Sequence, residues 1–330
     1  MEKIKQVISK GKWVPIILAV LVLSVVMSFV TDNFATLGNF GNILEQASVT
    51  GIMAVGMTFI ILTGGIDISV GGILFITGSI FVEGVKAGYN VLLVGILVVI
   101  LAAALGALNG YLIVKTKMMP FIVTLATYNV YRGLALHITE AKDLVVPDHA
   151  KALGTMKIFE FVPLPSILFI IAIITGLYLA NRTKFGIYVK AIGNSEKSAI
   201  DSGLPVVSTM VRAYMLGGLT AGISGLILIG RIGLLQSGLG AGMEFTVIAS
   251  VVLGGTALSG GSGSVIGSSI GAIFLLLITN GLNLMEVSPF VYEVVTGGIL
   301  LVAVILDRVS SVRQSKAMQA QKAKRIRNQA

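Results

Sequence analysis

The sequence contains no cysteine, only two histidines and few charged residues. The absence of cysteine excludes disulfides, thiolate metal ligands and thiol nucleophiles together. His137 and His149 lie in one polar segment, where solvated side chains are expected rather than metal ligands. Charged residues make up 12% of the chain, against roughly 25% in an average soluble domain. Most of the surface of this protein must therefore face something other than water.

The chain is rich instead in long apolar runs without charge, of which 91–114 and 245–285 are examples. A transmembrane helix needs about 20 apolar residues. The sequence therefore predicts an all-α, multi-pass protein of the cell membrane, with about ten transmembrane helices (eight to ten). The predicted helices are 13–30, 48–63, 70–85, 91–113, 119–136, 166–181, 212–229, 243–257, 265–284 and 290–306.

Basic residues predict the orientation of these helices, because Lys and Arg are enriched in cytoplasmic segments. If the N-terminus is cytoplasmic, the inner segments hold all but six of the 24 Lys and Arg. This predicts a cytoplasmic N-terminus 1–12, a transmembrane domain 13–306 with a cytoplasmic loop 182–212, and a basic cytoplasmic tail 307–330. We expect the tail to contact anionic membrane lipids rather than nucleic acid.

Two glycine-rich stretches interrupt the apolar runs. "TGGIDISVGG" (63–72) contains Asp67, the only charged residue between 47 and 82, and "GGTALSGGSGS" (254–264) lies in the run 245–285. The arms of the first hairpin, 49–63 and 70–85, are each predicted to be shorter than the roughly 30 Å apolar core. Short, glycine-interrupted segments in two halves of a chain are typical of a transport pathway. The candidate gate residues are Gly64, Gly65, Asp67, Ser69, Gly254, Gly255, Ser259 and Gly261. The spacing of Gly64, Gly65, Ser69 and Gly71 matches that of Gly254, Gly255, Ser259 and Gly261, which suggests a repeat.

Asp67 has two interpretations that the sequence leaves open. It can cap the following helix, or it can shape a gate. Asn109, Asn129 and Asn280 are predicted to form interhelical hydrogen bonds or to contact solute hydroxyl groups. Arg132 lies near the outer end of its predicted helix, where it either snorkels to the interface or contacts the solute or a binding protein.

The loop 182–212 contains a short predicted helix in "NSEKSAIDSGLP". Asn194 or Ser195 can cap its start, Glu196 lies in its first turn, and Gly203 followed by Pro205 ends it. A helix this short is not stable alone in water. We expect it to dock on a cytoplasmic protein, although a solvated turn remains an alternative.

Several long motifs resemble the permease subunits of ribose-type ABC importers. They are "LTGGIDISVGG", "NGYLIVKTKMMPFIVTLAT" followed by "RG", "KFGIYVKAIGNSEKSAIDSGLPV", "IASVVLGGTALSGGSGSVIGSSIGA" and "NGLNL". The resemblance covers roughly residues 45–306 in the same order, and its version of the first motif favours the sugar branch over the more distant branched-chain amino-acid permeases. The long outer loop 137–165 differs from the family's pattern and gives no solute identity.

The resemblance implies a permease dimer, formed with a second copy or a paralogue, together with a cytoplasmic ATP-binding-cassette ATPase and an extracytoplasmic solute-binding protein. The family's coupling segment matches Gly193, Asn194, Ala199, Ser202 and Gly203. The chain would then be no enzyme and hold no cofactor, since its partner would use ATP and Mg²⁺. This agrees with the lack of the phosphate-loop motif GxxxxGK[ST]. The alternatives are a secondary ion-coupled carrier, or an ABC permease for branched-chain amino acids or nucleosides.

Overall fold

The structure, a computed structural model, describes residues 14–158, 162–288, 290–305 and 309. The predicted N-terminal segment 1–12 and nearly all of the predicted tail 307–330 lie outside these residues. The described chain is mostly helical, as predicted. The helices are α1 Val14–Val30, α2 Leu37–Leu62, α3 Val70–Lys86, α4 Val91–Thr116, α5 Pro120–Ile138, α6 Ala152–Thr155, α7 Leu164–Arg182, α8 Lys184–Asn194, α9 Glu196–Asp201, α10 Val206–Ile232, α11 Met243–Leu253, α12 Val265–Leu284 and α13 Phe290–Ile305.

Five of these helices are long and apolar enough to cross a membrane, namely α2, α4, α7, α10 and α12. Most of α2 and α10 is buried within the bundle, whereas most of α4 and α7 is not. The central helices α2 and α10 pack on one another, and α3, α4, α7, α11 and α12 surround them. Because α4 is apolar all round, its exposed side is suited to lipid. The core of the protein is therefore the interior of a membrane-spanning helical bundle.

The part of the chain that the structure describes contains four two-residue strands, which lie outside the bundle. They are β1 Leu144–Val145, β2 Lys157–Ile158, β3 Val162–Pro163 and β4 Leu234–Leu235, and a 3₁₀ turn covers Asp148–Ala150. β1 pairs antiparallel with β4, and β2 pairs antiparallel with β3. The β1–β4 pair joins the loop after α5 to the loop after α10, so these two loops form one cap at the same end of the bundle.

Helix α2 begins at Leu37, whereas the sequence predicted a start at 48. Its 26 residues extend over about 39 Å, so the prediction of a short first arm was wrong. The Thr36 side chain caps the helix by accepting a hydrogen bond from the Asn39 amide. The sequence analysis missed this start because the polar residues after Thr36 interrupt the apolar run. The second arm, α3, has 17 residues and is short as predicted.

The segment 182–212 is helical along most of its length. Helix α8, which the sequence analysis missed, precedes α9, and α10 begins at Val206 rather than at 212. Helix α8 is short and amphipathic, and it buries Gly186, Val189 and Ile192. Packing of this face stabilises the helix, since a chain segment of 11 residues is not a stable helix by itself.

Candidate functional site

Helices α2 and α11 end in the same backbone motif. Gly64 and Gly255 each adopt a left-handed conformation, with φ of 82° and 84°. In each case the amide of this glycine and the amide of the next residue donate to carbonyls in the last turn of the helix, which is the Schellman arrangement. The equivalence of the two stretches is therefore shifted by one residue from the predicted alignment, because Gly64 matches Gly255 rather than Gly254.

Both glycine-rich turns meet the end of α8 at one point, which we call the glycine junction (Gly64, Gly193, Gly260 and Gly261). The Gly261 amide donates to the Leu62 carbonyl at 2.9 Å. A Cβ at Gly260 would lie 2.8 Å from the Gly64 nitrogen and 2.9 Å from the Gly193 Cα. A Cβ at Gly193 would collide with the Leu62 carbonyl oxygen and the Gly261 nitrogen. Three backbone segments far apart in sequence therefore touch directly, which only glycine permits.

Asn194, the last residue of α8, lies against the second turn. A Cβ at Gly261 would collide with the Asn194 side-chain oxygen. The Ser259 carbonyl oxygen would lie 3.6 Å from a Cβ at Gly64. Five of the predicted site residues (Gly64, Gly193, Asn194, Ser259 and Gly261) are thus neighbours, although the sequence analysis had placed them in two separate groups.

Helix α9 has the ends that the sequence predicted. The Ser195 hydroxyl accepts from the Ser198 amide at 3.2 Å, and Gly203 follows the helix with φ of 73°. Ala199 is buried, whereas Glu196 and Ser202 are exposed. Glu196 also lines an open cavity of about 1060 Å³ between α9, the first turn of α10 and the end of α4. Gly64 and Gly65 form part of the wall of the same cavity.

Asp67 is fully buried and begins a chain of polar side chains. Its Oδ1 accepts from the Ser69 amide at 2.8 Å and from the Ser69 hydroxyl at 2.6 Å. The Asn109 amide donates to the Ser69 hydroxyl at 2.6 Å, and the Tyr131 hydroxyl donates to the Asn109 oxygen at 3.0 Å. The network links the α2–α3 turn to α4 and α5, so the predicted interhelical role holds for Asn109. Among the described residues, no hydrogen-bond partner reaches Asp67 Oδ2 or the buried Tyr214 hydroxyl.

Asn280 lies in a different part of the bundle. It forms a reciprocal amide pair with Asn39, with hydrogen bonds of 3.0 Å and 2.8 Å. Both side chains are buried between α2 and α12. The interhelical interpretation therefore fits Asn280, while the structure separates it from the glycine junction. Asn129 differs from both, because its amide donates only to the Leu125 carbonyl of its own helix within the described chain.

Gly254, the C-cap residue of α11, contributes to packing as well as to the turn. A Cβ at Gly254 would collide with the Gly267 carbonyl group, and a Cβ at Gly267 would collide with the Gly254 oxygen. Helices α11 and α12 therefore meet backbone to backbone. Thr58 of α2 donates to Ser268 of α12 at 2.8 Å just beside this contact, which fixes the second turn to α2.

Arg132 lies at the opposite end of the bundle. Its guanidinium donates to the Ser237 carbonyl at 2.9 Å and the Leu239 carbonyl at 3.1 Å, and it stacks over the Phe75 ring at 5.0 Å. Arg132 thus holds the loop after β4 against α3 and α5. The buried Glu244 lies near this loop, where its Oε1 accepts from the Gly242 amide at 3.3 Å.

Sequence reasoning missed four polar residues of these networks. They are Asn39, Tyr131, Tyr214 and Glu244. Asn39 preceded the predicted start of its helix, and the tyrosines resembled ordinary core or interface aromatics. Only Glu244 carried a usable signal, since it is a carboxylate directly before a charge-free run of 41 residues, 245–285.

The described residues contain no group of three or more His, Asp or Glu side chains arranged to hold a metal ion. The candidate site residues interact through hydrogen bonds and through close contacts between backbone atoms. Such an arrangement can transmit movement between helices.

Comparison with known proteins agrees with this geometry. The family model described as "Branched-chain amino acid transport system / permease component" matches residues 39–304. The ribose import permease protein RbsC of Bacillus subtilis (strain 168) is 40% identical over 302 residues, covering 89% of this chain and 92% of the relative. The D-allose transport system permease protein AlsC of Escherichia coli (strain K12) is 34% identical over 303 residues, covering 89% and 90%.

A third relative is the autoinducer 2 import system permease protein LsrC of Photorhabdus luminescens, which is 30% identical over 303 residues, covering 92% of this chain and 91% of the relative. No solved structure matches the chain. The family model covers most of the chain, and the relatives match it nearly from end to end. This protein therefore belongs to the family of transport-system permease components, as a multi-pass membrane protein.

Proposed function

We propose that this chain is the membrane-spanning permease subunit of an ABC importer that translocates a ribose-type monosaccharide. A cytoplasmic ATP-binding-cassette ATPase uses ATP and Mg²⁺, and this chain supplies neither a nucleotide site nor a bound cofactor. An extracytoplasmic solute-binding protein delivers the sugar. A second permease subunit completes the path.

The glycine junction is the observation that carries this proposal. Helix α9 exposes Glu196 and Ser202 to a partner, and it follows α8 with only Ser195 between them. The end of α8 touches both glycine-rich turns through backbone atoms. Movement of α9 by an ATPase would therefore reach α2 and α11 without passing through flexible side chains. The coupling residues are Gly193, Asn194, Glu196, Ala199, Ser202 and Gly203.

The choice of a monosaccharide is supported by the relatives. The two sugar permeases are 40% and 34% identical to this chain, and the autoinducer 2 permease is 30% identical. Ribose and allose are polyhydroxylated sugars, which a path lined by hydrogen-bonding groups can accommodate. Sugars therefore form the first class of solute to test.

The cap made by residues 139–158, 162–163 and 233–242 is the proposed docking surface for the binding protein. The β1–β4 pair joins the two loops, and the Asp143 carboxylate accepts from the Ser237 amide at 2.9 Å. Arg132 attaches the same loop to α3 and α5, so docking can bias the positions of these helices. Arg132 acts here as a positioning residue.

The proposed topology has about ten transmembrane segments with both termini in the cytoplasm. The ten predicted segments correspond to α1 to α5, α7 and α10 to α13, of which the five longest apolar helices are candidate spans by themselves. The shorter ones would cross or re-enter beside buried partners. In this topology the glycine junction and α9 face the cytoplasm.

Reconstitution tests the proposal directly. The chain is placed in liposomes with or without its ATPase, with binding protein and radiolabelled ribose outside and ATP inside. We expect uptake only when ATPase, ATP and binding protein are all present. Uptake by the chain alone, driven by a proton or sodium gradient, would indicate a secondary carrier instead. ATP-driven uptake in which leucine or a nucleoside outcompetes ribose would keep the importer and change its solute.

A further inference from the structure

A deep groove lies between α4 and α7. Within the described chain, α4 packs on α10 and α7 packs on α2, but α4 and α7 are not packed on each other. The space between them, which we call the α4–α7 groove, has a volume of about 910 Å³. Ile223, Leu226 and Ile227 of α10 form its floor, and helix α6 lines its end next to the cap.

Polar and apolar residues are segregated along the groove. The polar lining residues are Tyr89, Asn90 and His149, which lie just before α4 and in the cap. Every other lining residue is apolar, including those between Val91 and Ile100 on α4 and the two leucines of α7, Leu164 and Leu168. A molecule that matches this lining has a polar head at one end and an apolar tail, as a membrane lipid does.

The depth of the groove corresponds to one leaflet. From Val91 to Ile100 the axis of α4 extends over about 14 Å. Half of the roughly 30 Å apolar core of a bilayer is about 15 Å. Leu168 and Ile223 also line a narrower cavity of about 180 Å³, which continues the groove towards the other end of α7. A transmembrane helix of a partner, about 10–12 Å wide, cannot follow this narrowing, whereas a flexible acyl chain can.

The exposed surfaces beside the groove are suited to lipid. Helix α4 has no polar side chain between Asn90 and Asn109, and it exposes Leu93 and Leu97 next to the groove. This side of α4 therefore offers a protein partner no side-chain hydrogen bond. Helix α7 exposes three isoleucines, Ile170, Ile171 and Ile174. Acyl chains that cover these surfaces can enter the groove directly from the bilayer.

The polar end of the groove can bind a lipid head group. The Asn90 Oδ1 caps α4 by accepting from the Leu92 and Leu93 amides at 3.0 Å and 3.1 Å, and its NH₂ group can donate to a phosphate or ester oxygen. His149 is exposed at the edge of the cap, and its imidazole can donate as well. Tyr89 is exposed beside them, and tyrosine is enriched at the head-group level of membranes.

We propose that the α4–α7 groove binds one membrane phospholipid, with an acyl chain between the two helices and the head group at Asn90 and His149. Helix α6 packs on α7 and α10, so the bound lipid fills the space that separates α6 from α4. The site does not depend on the solute or the ATPase of the proposed function. Only its leaflet follows from the proposed topology, which makes it the outer one.

Two neighbouring tryptophan variants test the site in the full-length protein. Ile96→Trp fills the groove, whereas Leu97→Trp places the same side chain outside it, and the native residues are similarly exposed, at 51% and 55%. Each purified chain is delipidated in detergent and titrated with palmitoyl-oleoyl phosphatidylethanolamine, and bound lipid is counted by native mass spectrometry. We expect one tightly bound lipid per chain in the wild type and in Leu97→Trp, and several-fold weaker binding in Ile96→Trp.

The two histidines provide a matched pair for the head group. His149 lines the groove, whereas His137 is equally a surface residue but does not line it. In the same titration, His149→Ala should bind the phospholipid several-fold more weakly than His137→Ala. Equal binding by these two variants overturns the contact between the head group and His149.

Photo-crosslinking of the wild type gives a readout that does not depend on the folding of a variant. A phosphatidylethanolamine with a diazirine near the end of one acyl chain should label Ile223, on the floor of the groove, more strongly than Val22, on the exposed side of α1. Labelling that is no stronger at Ile223 overturns the proposal, since it indicates only unspecific lipid around the protein.

Two further results overturn the lipid site. One is equal lipid binding by Ile96→Trp and Leu97→Trp. The other is unchanged lipid binding by Ile96→Trp together with a changed oligomeric state of the purified chain, which would indicate that another protein chain occupies the groove. None of these measurements involves transport, so the importer and the lipid site succeed or fail separately.

Discussion

Asp67 holds the turn between α2 and α3 through one of its two carboxylate oxygens. Oδ1 bonds both the amide and the hydroxyl of Ser69, and Ser69 in turn accepts from Asn109. The N-cap of α3 is Ser69, which makes no side-chain cap hydrogen bond, so Asp67 stabilises the turn before the helix instead of capping its first turn, and through Ser69 it connects this turn to α4. These observations support a structural role for Asp67 rather than direct recognition of a solute.

Replacing Asp67 separates its hydrogen bonds from its charge. Asp67→Asn keeps an acceptor for Ser69, whereas Asp67→Leu leaves two buried donors without one, at about 1–3 kcal/mol each. We expect the Leu variant to give less monodisperse protein and lower uptake, with the order of competing sugars unchanged. Size-exclusion chromatography and competition uptake measure this. A changed sugar preference at normal turnover in either variant would contradict it.

Asn280 was a candidate for the solute pathway. Because it pairs with Asn39, we expect its replacement to lower the stability of the protein. Asn280→Leu removes two of the three side-chain hydrogen bonds of the buried Asn39 and leaves its Oδ1 without a donor, which should lower stability by about 1–3 kcal/mol. The double variant Asn39→Leu/Asn280→Leu should lose less than the sum of the two single variants, because it removes both amides. Unfolding of purified protein in urea measures these losses. Strictly additive losses would show that the pair does not act as a unit.

At the scale of elements, the helix ends that local turn residues define were predictable, whereas ends and contacts that depend on other helices were not. Ser195 and Gly203 define α9 by local hydrogen bonding and backbone conformation, so a short stretch of sequence contains the signal. The start of α2 was missed because polar residues follow Thr36, and their burial depends on other helices. Helix α8 was missed because its stability comes from packing of one face.

The junction between α8 and the two turns predicts a sensitive glycine. Gly193→Ala would push a methyl group into the Leu62 carbonyl and the Gly261 amide, and such overpacking costs about 1–3 kcal/mol. We expect ATP hydrolysis to continue while sugar uptake falls. The matched control is Gly41→Ala in α2, where an added Cβ meets no atom within 4 Å. Equal uptake in the two variants, at equal expression, would contradict the coupling role of the junction.

For the molecule as a whole, the orientation in the membrane rests on charge placement. Single cysteines can test it, since the chain has none of its own. Ser198→Cys, on exposed α9, should react with a membrane-impermeant maleimide only from the cytoplasmic side. Lys142→Cys, in the exposed cap, should react only from outside. Labelling of intact cells and of inverted vesicles distinguishes the two, and the reverse pattern would overturn the proposed topology.

The sequence by itself determined the class of this protein, the approximate positions of its apolar segments and the local turns that end its helices. These properties depend on composition and on residues a few positions apart. Only the tertiary structure decided that Gly193 touches Leu62, that Asn39 pairs with Asn280 and that Arg132 secures the loop after β4. Each of these contacts joins segments about a hundred residues or more apart, and their formation depends on how whole helices pack in three dimensions.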